Sequence, residues 1–140
     1  MATVNVTLSL SSTDLFAKQT VSFTETDSLS PSGDSQVIGK LYLTGNGTED
    51  SIHVKEIEGD GDKAYLYMKN LSSTSGEYVE VSRRAGGADV TADSTANDWF
   101  AVLGPGEFLF IPLANCESID LEPAAGNPTV EYILMEKAAG

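Results

Sequence analysis

The chain has 140 residues, with 8 Lys plus Arg against 21 Asp plus Glu and a formal net charge of −13. Six lysines and two arginines make no basic stripe for nucleic-acid phosphates, and so acidic a chain is repelled by an anionic membrane surface. With 41% hydrophobic residues it is expected to fold as one domain over residues 1–140, and its single cysteine, Cys116, excludes an internal disulfide and a cysteine-based zinc site.

In chain order, the opening Met1 to Val6 has neither a charged nor an apolar signal region, so no signal peptide is expected. No apolar run approaches the roughly 18 residues that span a bilayer. Synthesis in a cytoplasm, without export by a signal of its own, follows as the expectation. Val4, Val6, Leu8 and Leu10 alternate with polar residues, the pattern of a half-buried strand. Residues 12 to 18 have room for a helical turn or two, and Val21 and Phe23 resume the period of two. Ser28 to Ser35, rich in Ser, Pro, Gly and Asp, reads as a surface loop. Leu41-Tyr42-Leu43 is short and apolar on both faces, and Ile52 and Val54 alternate around His53.

Ala64-Tyr65-Leu66-Tyr67-Met68, Phe108-Leu109-Phe110-Ile111 and Tyr132-Ile133-Leu134-Met135 are also apolar on both faces. Such short aromatic and branched runs predict strands buried on both sides. Tyr78 to Val81 and Trp99 to Leu103 predict two more strands, with a small, polar loop from Ala85 to Asn97 between them. Turn residues punctuate the series. Gly45-Asn46-Gly47, Asp60-Gly61 and Gly104-Pro105-Gly106 read as hairpin turns, Ser75-Gly76 separates two strands, and Gly126-Asn127-Pro128 precedes the last one. Eight to ten strands with little helix predict a single-domain antiparallel β-sandwich of jelly-roll type, with a smaller Greek-key barrel as the other arrangement.

Chemistry is sparse. His53 is the only histidine, and a metalloenzyme site needs several convergent imidazoles, so neither a metal nor a cofactor is expected. No nucleophile adjoins it in sequence, and Cys116 has no neighbouring base or cation to activate it. Glu56, Glu58, Asp60 and Asp62 have the spacing of the front of a calcium loop, but Lys69 stands where a closing Glu belongs, so they read as a solvated hairpin. Sequons at Asn5, Asn46 and Asn70 are read as chance products of a Ser/Thr-rich chain. No catalytic residue is assigned, and the protein is expected not to be an enzyme. Four residues remain as candidate interface residues, because their types are enriched where proteins meet: Arg83, Arg84, Trp99 and Phe100. As neighbours on a strand, the two arginines point to opposite faces.

Several phrases carry a resemblance: AYLYMKNL at Ala64–Leu71, the Ser/Thr/Gly stretch leading to Glu77–Ser82, FAVLGPGEFLFIPL at Phe100–Leu113, and TVEYILME at Thr129–Glu136. Over about half its length the chain resembles a loose group of small phage virion proteins, capsid decoration (cement) proteins among them. That resemblance implies a compact β-sandwich on the outer capsid surface, oligomeric with a trimer favoured, binding the major capsid protein and stabilising the assembled shell. It brings no catalytic residues. Head-fibre and tail-fibre components share these phrases, so a receptor- or glycan-binding part, using Trp99 and loop carboxylates, is the other reading.

Overall fold

A computed structural model describes residues 3–14, 19–29, 31–45, 50–53, 63–85, 99–114 and 116–137. These hold ten strands and no helix: β1 (Val4–Asp14), β2 (Gln19–Leu29), β3 (Pro31–Tyr42), β4 (Asp50–His53), β5 (Lys63–Asn70), β6 (Val79–Ala85), β7 (Ala101–Leu103), β8 (Phe108–Ala114), β9 (Cys116–Pro123) and β10 (Thr129–Lys137). Eight of them form two four-stranded sheets, ordered β3-β10-β5-β8 and β4-β9-β6-β7. Every pairing is antiparallel.

The pairings are nested. β3 pairs with β10, β4 with β9, β5 with β8 and β6 with β7, so the body is one long hairpin whose successive rungs fall in alternate sheets. Pairs β10·β5 and β6·β9 join the rungs within each sheet. This is the jelly-roll form of the β-sandwich, as the strand count predicted. The core lies between the sheets. Leu66, Met68, Val130 and Leu134 enter it from one side, and Ile52, Val79, Val81, Ile119 and Leu121 from the other, each at most 2% exposed.

The nesting changes the meaning of the turns. Among β3 to β10 only the consecutive pair β6 and β7 lie side by side in one sheet. Gly45 (φ 74°) and Gly106 (φ 77°) do adopt the left-handed backbone expected of them. They carry the chain from one sheet to the other, however, and not into a hairpin. In the Gly104–Glu107 turn, the Glu107 N–H donates to the Gly104 carbonyl at 3.0 Å.

Other expectations are corrected. Residues 28–29 and 31–35 are strand, because cross-strand backbone pairing outweighs a loop-like composition, and residue 30 lies outside the described residues; Pro31 opens an edge strand, a position that tolerates its missing N–H. Strand β9 was not foreseen, although Ile119 and Leu121 alternate with Ser118, Asp120 and Glu122. Strand β7 begins at Ala101, so Trp99 and Phe100 lead into it. Residues 12–14 are strand. Residues 15–18, Val54, Asp60-Gly61, the 86–97 stretch and the acidic set Glu56, Glu58, Asp60 and Asp62 lie outside the described residues.

Strands β1 and β2 stand apart as a two-stranded ribbon, hydrogen-bonded to each other and to neither sheet. Its faces differ sharply. One is a hydroxyl ladder in which Thr7 meets Thr26 at 3.1 Å, Ser9 meets Thr24 at 3.3 Å, and the Ser28 hydroxyl donates to Asn5 Oδ1 at 2.9 Å. The other carries Val4, Val6, Leu8 and Leu10 beside Val21 and Phe23, with Glu25 opposite Leu8 and Asp27 opposite Val6. The apolar alternation was read correctly as a strand. Its apolar face is nevertheless partly exposed: Leu8, Leu10 and Phe23 are 47%, 53% and 42% exposed, while Val4, Val6 and Val21 are half-buried.

Candidate functional site

The main candidate surface is the outer face of the β3-β10-β5-β8 sheet. Inward residues of β5 (Ala64, Leu66, Met68 and Asn70) are buried, which by the period of two places Tyr65, Tyr67 and Lys69 outward. Register sets Phe110 opposite Tyr67 and Phe108 opposite Lys69. The Tyr65 and Phe110 rings stack with centroids 6.1 Å apart, and Tyr67 and Phe108 lie 6.4 Å apart with tilted planes. Those separations fall within the range of favourable aromatic pairs. Ile38, Lys40, Glu131 and Ile133 continue the face across β3 and β10, where Ile38 is 77% exposed. The runs read as buried on both sides are therefore buried on one side and half-buried or exposed on the other.

A shallow depression of about 300 Å³ opens here, lined by Ile38, Gly39, Lys40, Tyr67, Glu131, Tyr132 and Ile133. Gly39 and Tyr132 are paired in register and face the core, where the Tyr132 ring packs against the buried cluster. The ring passes 2.7 Å from where a Cβ on Gly39 would lie, so glycine is what lets it cover this strand from within. Glu131 is paired in register with Lys40 on one side and Lys69 on the other.

Burial, the Glu131 charge and a hydrogen bond from the Tyr67 hydroxyl to the Glu131 carboxylate together hold the Tyr67 phenol above its usual ionisation range. In an alkaline absorbance titration, Glu131→Gln lowers the Tyr67 midpoint and Tyr67→Phe removes that step. The sign for stability follows. The contribution is complete below the unfolded tyrosine value near 10 and is lost as pH rises through the higher folded value. A Tyr67 midpoint unmoved by Glu131→Gln would contradict this account.

Elsewhere the polar side chains are spent on the fold. Asn70 is fully buried; its Nδ2 donates to the Glu77 carbonyl at 2.8 Å and to the Leu103 carbonyl at 3.2 Å, while its Oδ1 accepts from Ser72 N at 3.0 Å. A sequon at that position is therefore closed to modification in the folded state. The Glu77 carboxylate accepts from the Ser72 hydroxyl and from Asn127 N. On the outer face of the other sheet, Asp120 is 5% exposed and accepts from the hydroxyls of Ser51 at 2.6 Å and Ser118 at 2.8 Å. Register puts His53 opposite Ser118, with Cys116 two residues along β9. Sequence gave no reason to expect those three near each other. Both serine hydroxyls donate to a buried carboxylate, which binds the sheet together. Among the described residues no three His, Cys, Asp or Glu side chains gather in a metal-binding group.

The four candidate interface residues are brought to one end of neighbouring strands. Val81 pairs with Ala101, so Arg83 and Arg84 on β6 extend alongside Trp99 and Phe100 ahead of β7. Phe100 is 44% exposed and Trp99 half-buried. Arg83 is exposed but reaches across to the other sheet, its Nη2 donating to the Ala114 carbonyl at 3.0 Å. Val102, 51% exposed on the edge strand β7, adds to this patch and was not foreseen. In sequence it is one residue of the strand expected over Trp99 to Leu103, with nothing to set it apart. No known protein family, curated protein or solved structure matches the chain.

Proposed function

We propose that this protein decorates the outer surface of a bacteriophage capsid, binding the major capsid protein and stabilising the assembled shell. One observation carries the reading: the buried polar side chains are satisfied within the fold, while exposed apolar ones gather in contiguous sets on the ribbon, the aromatic sheet face and the β7 edge. That is the distribution of a protein built for contact. The resemblance to phage virion proteins supplies the setting, and jelly rolls recur in capsid domains, although that likeness is one of fold alone. A net charge of −13 favours the outside of a particle over its DNA-filled interior. Binding only to the assembled lattice shifts it against disassembly by mass action.

In this reading the β7 edge meets the capsid, with Phe100 and Val102 at its centre and Arg83, Arg84 and Trp99 beside them. Quantitative mass spectrometry of density-purified particles will find the protein in a fixed ratio to the major capsid subunit, hundreds of copies per particle. A dozen copies or fewer would mean a fibre or tail part, and absence from particles would remove the proposal.

A second reading, a fibre component binding a glycan, has its own support in the aromatic face. Rings of Tyr65, Tyr67, Phe108 and Phe110 beside Glu131 offer stacking surface and a hydrogen-bond acceptor together. Glycan-array signal abolished by Tyr67→Ala would favour it.

A further inference from the structure

The ribbon and the aromatic sheet face are two partly exposed apolar surfaces on one chain. We propose that the apolar face of the β1–β2 ribbon packs on the outer face of the β3-β10-β5-β8 sheet of a second copy, each copy giving a ribbon and receiving one. This does not depend on the capsid reading.

Three observations carry it. First, an isolated two-stranded hairpin is at best marginally stable in water, and this one leaves Leu8, Leu10 and Phe23 exposed and is hydrogen-bonded to neither sheet. Second, the charges match. The apolar face of the ribbon carries two carboxylates, Glu25 and Asp27, and its described strands hold no Lys or Arg. The sheet face carries Lys40 and Lys69, two of only six lysines in a chain of net charge −13, on either side of Glu131. Third, the dimensions suffice. Eleven-residue strands make a ribbon roughly 33 Å long and roughly 10 Å wide, hence a footprint of about 330 Å². Reciprocal exchange buries that footprint on two ribbons and two sheets, about 1,300 Å² in all, within the range of specific interfaces.

A second copy is favoured over the chain's own sheet by connectivity. A single residue separates β2 from β3, and these two strands are neighbours in no sheet. The shortest common hairpin connection has two residues, so the ribbon leaves the sheet's edge instead of doubling back over its face.

The test uses the full chain at micromolar concentrations, with mass measured by light scattering after size exclusion. Wild type is expected at a multiple of the monomer mass. Leu10→Asp with Phe23→Asp, on the ribbon, and Ile38→Asp with Tyr67→Asp, on the sheet, are each expected at the mass of one chain with the sandwich still folded. Mixing the two variants restores one ribbon–sheet contact, so a heterodimer reappears. Hydrogen exchange over β1 and β2 gives a second readout, independent of whether the sheet variant folds: protection rises with protein concentration. A monomeric wild type overturns the proposal. So does a ribbon variant that associates like wild type, or ribbon protection that is strong at every concentration, which would mean docking within the chain.

Discussion

Asn70→Ala is expected to lower stability by about 3 kcal/mol, the sum of three modest hydrogen bonds and the cost of carbonyls left unpaired. For a chain of this size that is a fall in melting temperature of roughly 10 °C. Asn70 sits where three connections meet. Its side chain holds the carbonyls of Glu77 and Leu103 and the N–H of Ser72. Its backbone receives the N–H of Gly106 and donates to Glu107, both at 3.0 Å. Removing the amide therefore loosens the end of β5, the approach to β6 and the turn between β7 and β8 together. Asn70→Asp sharpens the test. A carboxylate there faces two carbonyl oxygens in a buried site, which raises its pKa above the unfolded value near 3.9. The variant's deficit is then small in acid and grows as pH rises through the folded pKa. Chemical denaturation from pH 4 to pH 7 reads this directly, and a deficit that did not change with pH would show that the amide's donors are dispensable.

Leu66→Ala is expected to cost about 3–5 kcal/mol, whereas Leu66→Met should cost under about 1.5 kcal/mol. Leu66 is 0% exposed, flanked in register by Leu134 and Ile111. Paired strands on both sides fix the backbone around it, so the site has little freedom to collapse onto the void. Ile38→Ala provides the contrast. Ile38 is 77% exposed, and the loss of its side chain in dilute solution should stay within about 0.5 kcal/mol. A Leu66→Ala deficit as small as that of Ile38→Ala would mean that the two sheets are less firmly packed than the core describes.

The sequence made the strands legible and left their partners hidden. Leu66 and Met68 alternate with Tyr65 and Tyr67, and a period of two identifies a strand whatever covers it. Which face is covered depends on neighbours distant in sequence. The same alternation in Val4 to Leu10 led to a ribbon outside the sandwich, because the period reports two faces and says nothing of what meets the apolar one. Turn residues behaved alike: Gly104-Pro105-Gly106 announces a tight turn, but only the pairing of β8 with β5 shows that it changes sheet. Strand β9 escaped notice because Asp120 and Ser118 look solvent-facing, and their burial rests on hydrogen bonds that spacing does not reveal. Of the site, the residue types were visible. The rows that set Glu131 between Lys40 and Lys69, or Tyr67 opposite Phe110, were not.

The nested pairing also fixes an order of events during synthesis. Strand β3 finds its partner only in β10, so the sheet that holds the aromatic face cannot close until Thr129–Lys137 has left the ribosome, about ninety residues after β3. Topologies dominated by such distant contacts fold slowly and leave sticky intermediates in the meantime. Through that interval Leu8, Leu10 and Phe23 are available to any other nascent chain. The surplus of carboxylates, spread from Asp14 to Glu136, keeps those unfinished chains apart by mutual repulsion until each can complete itself.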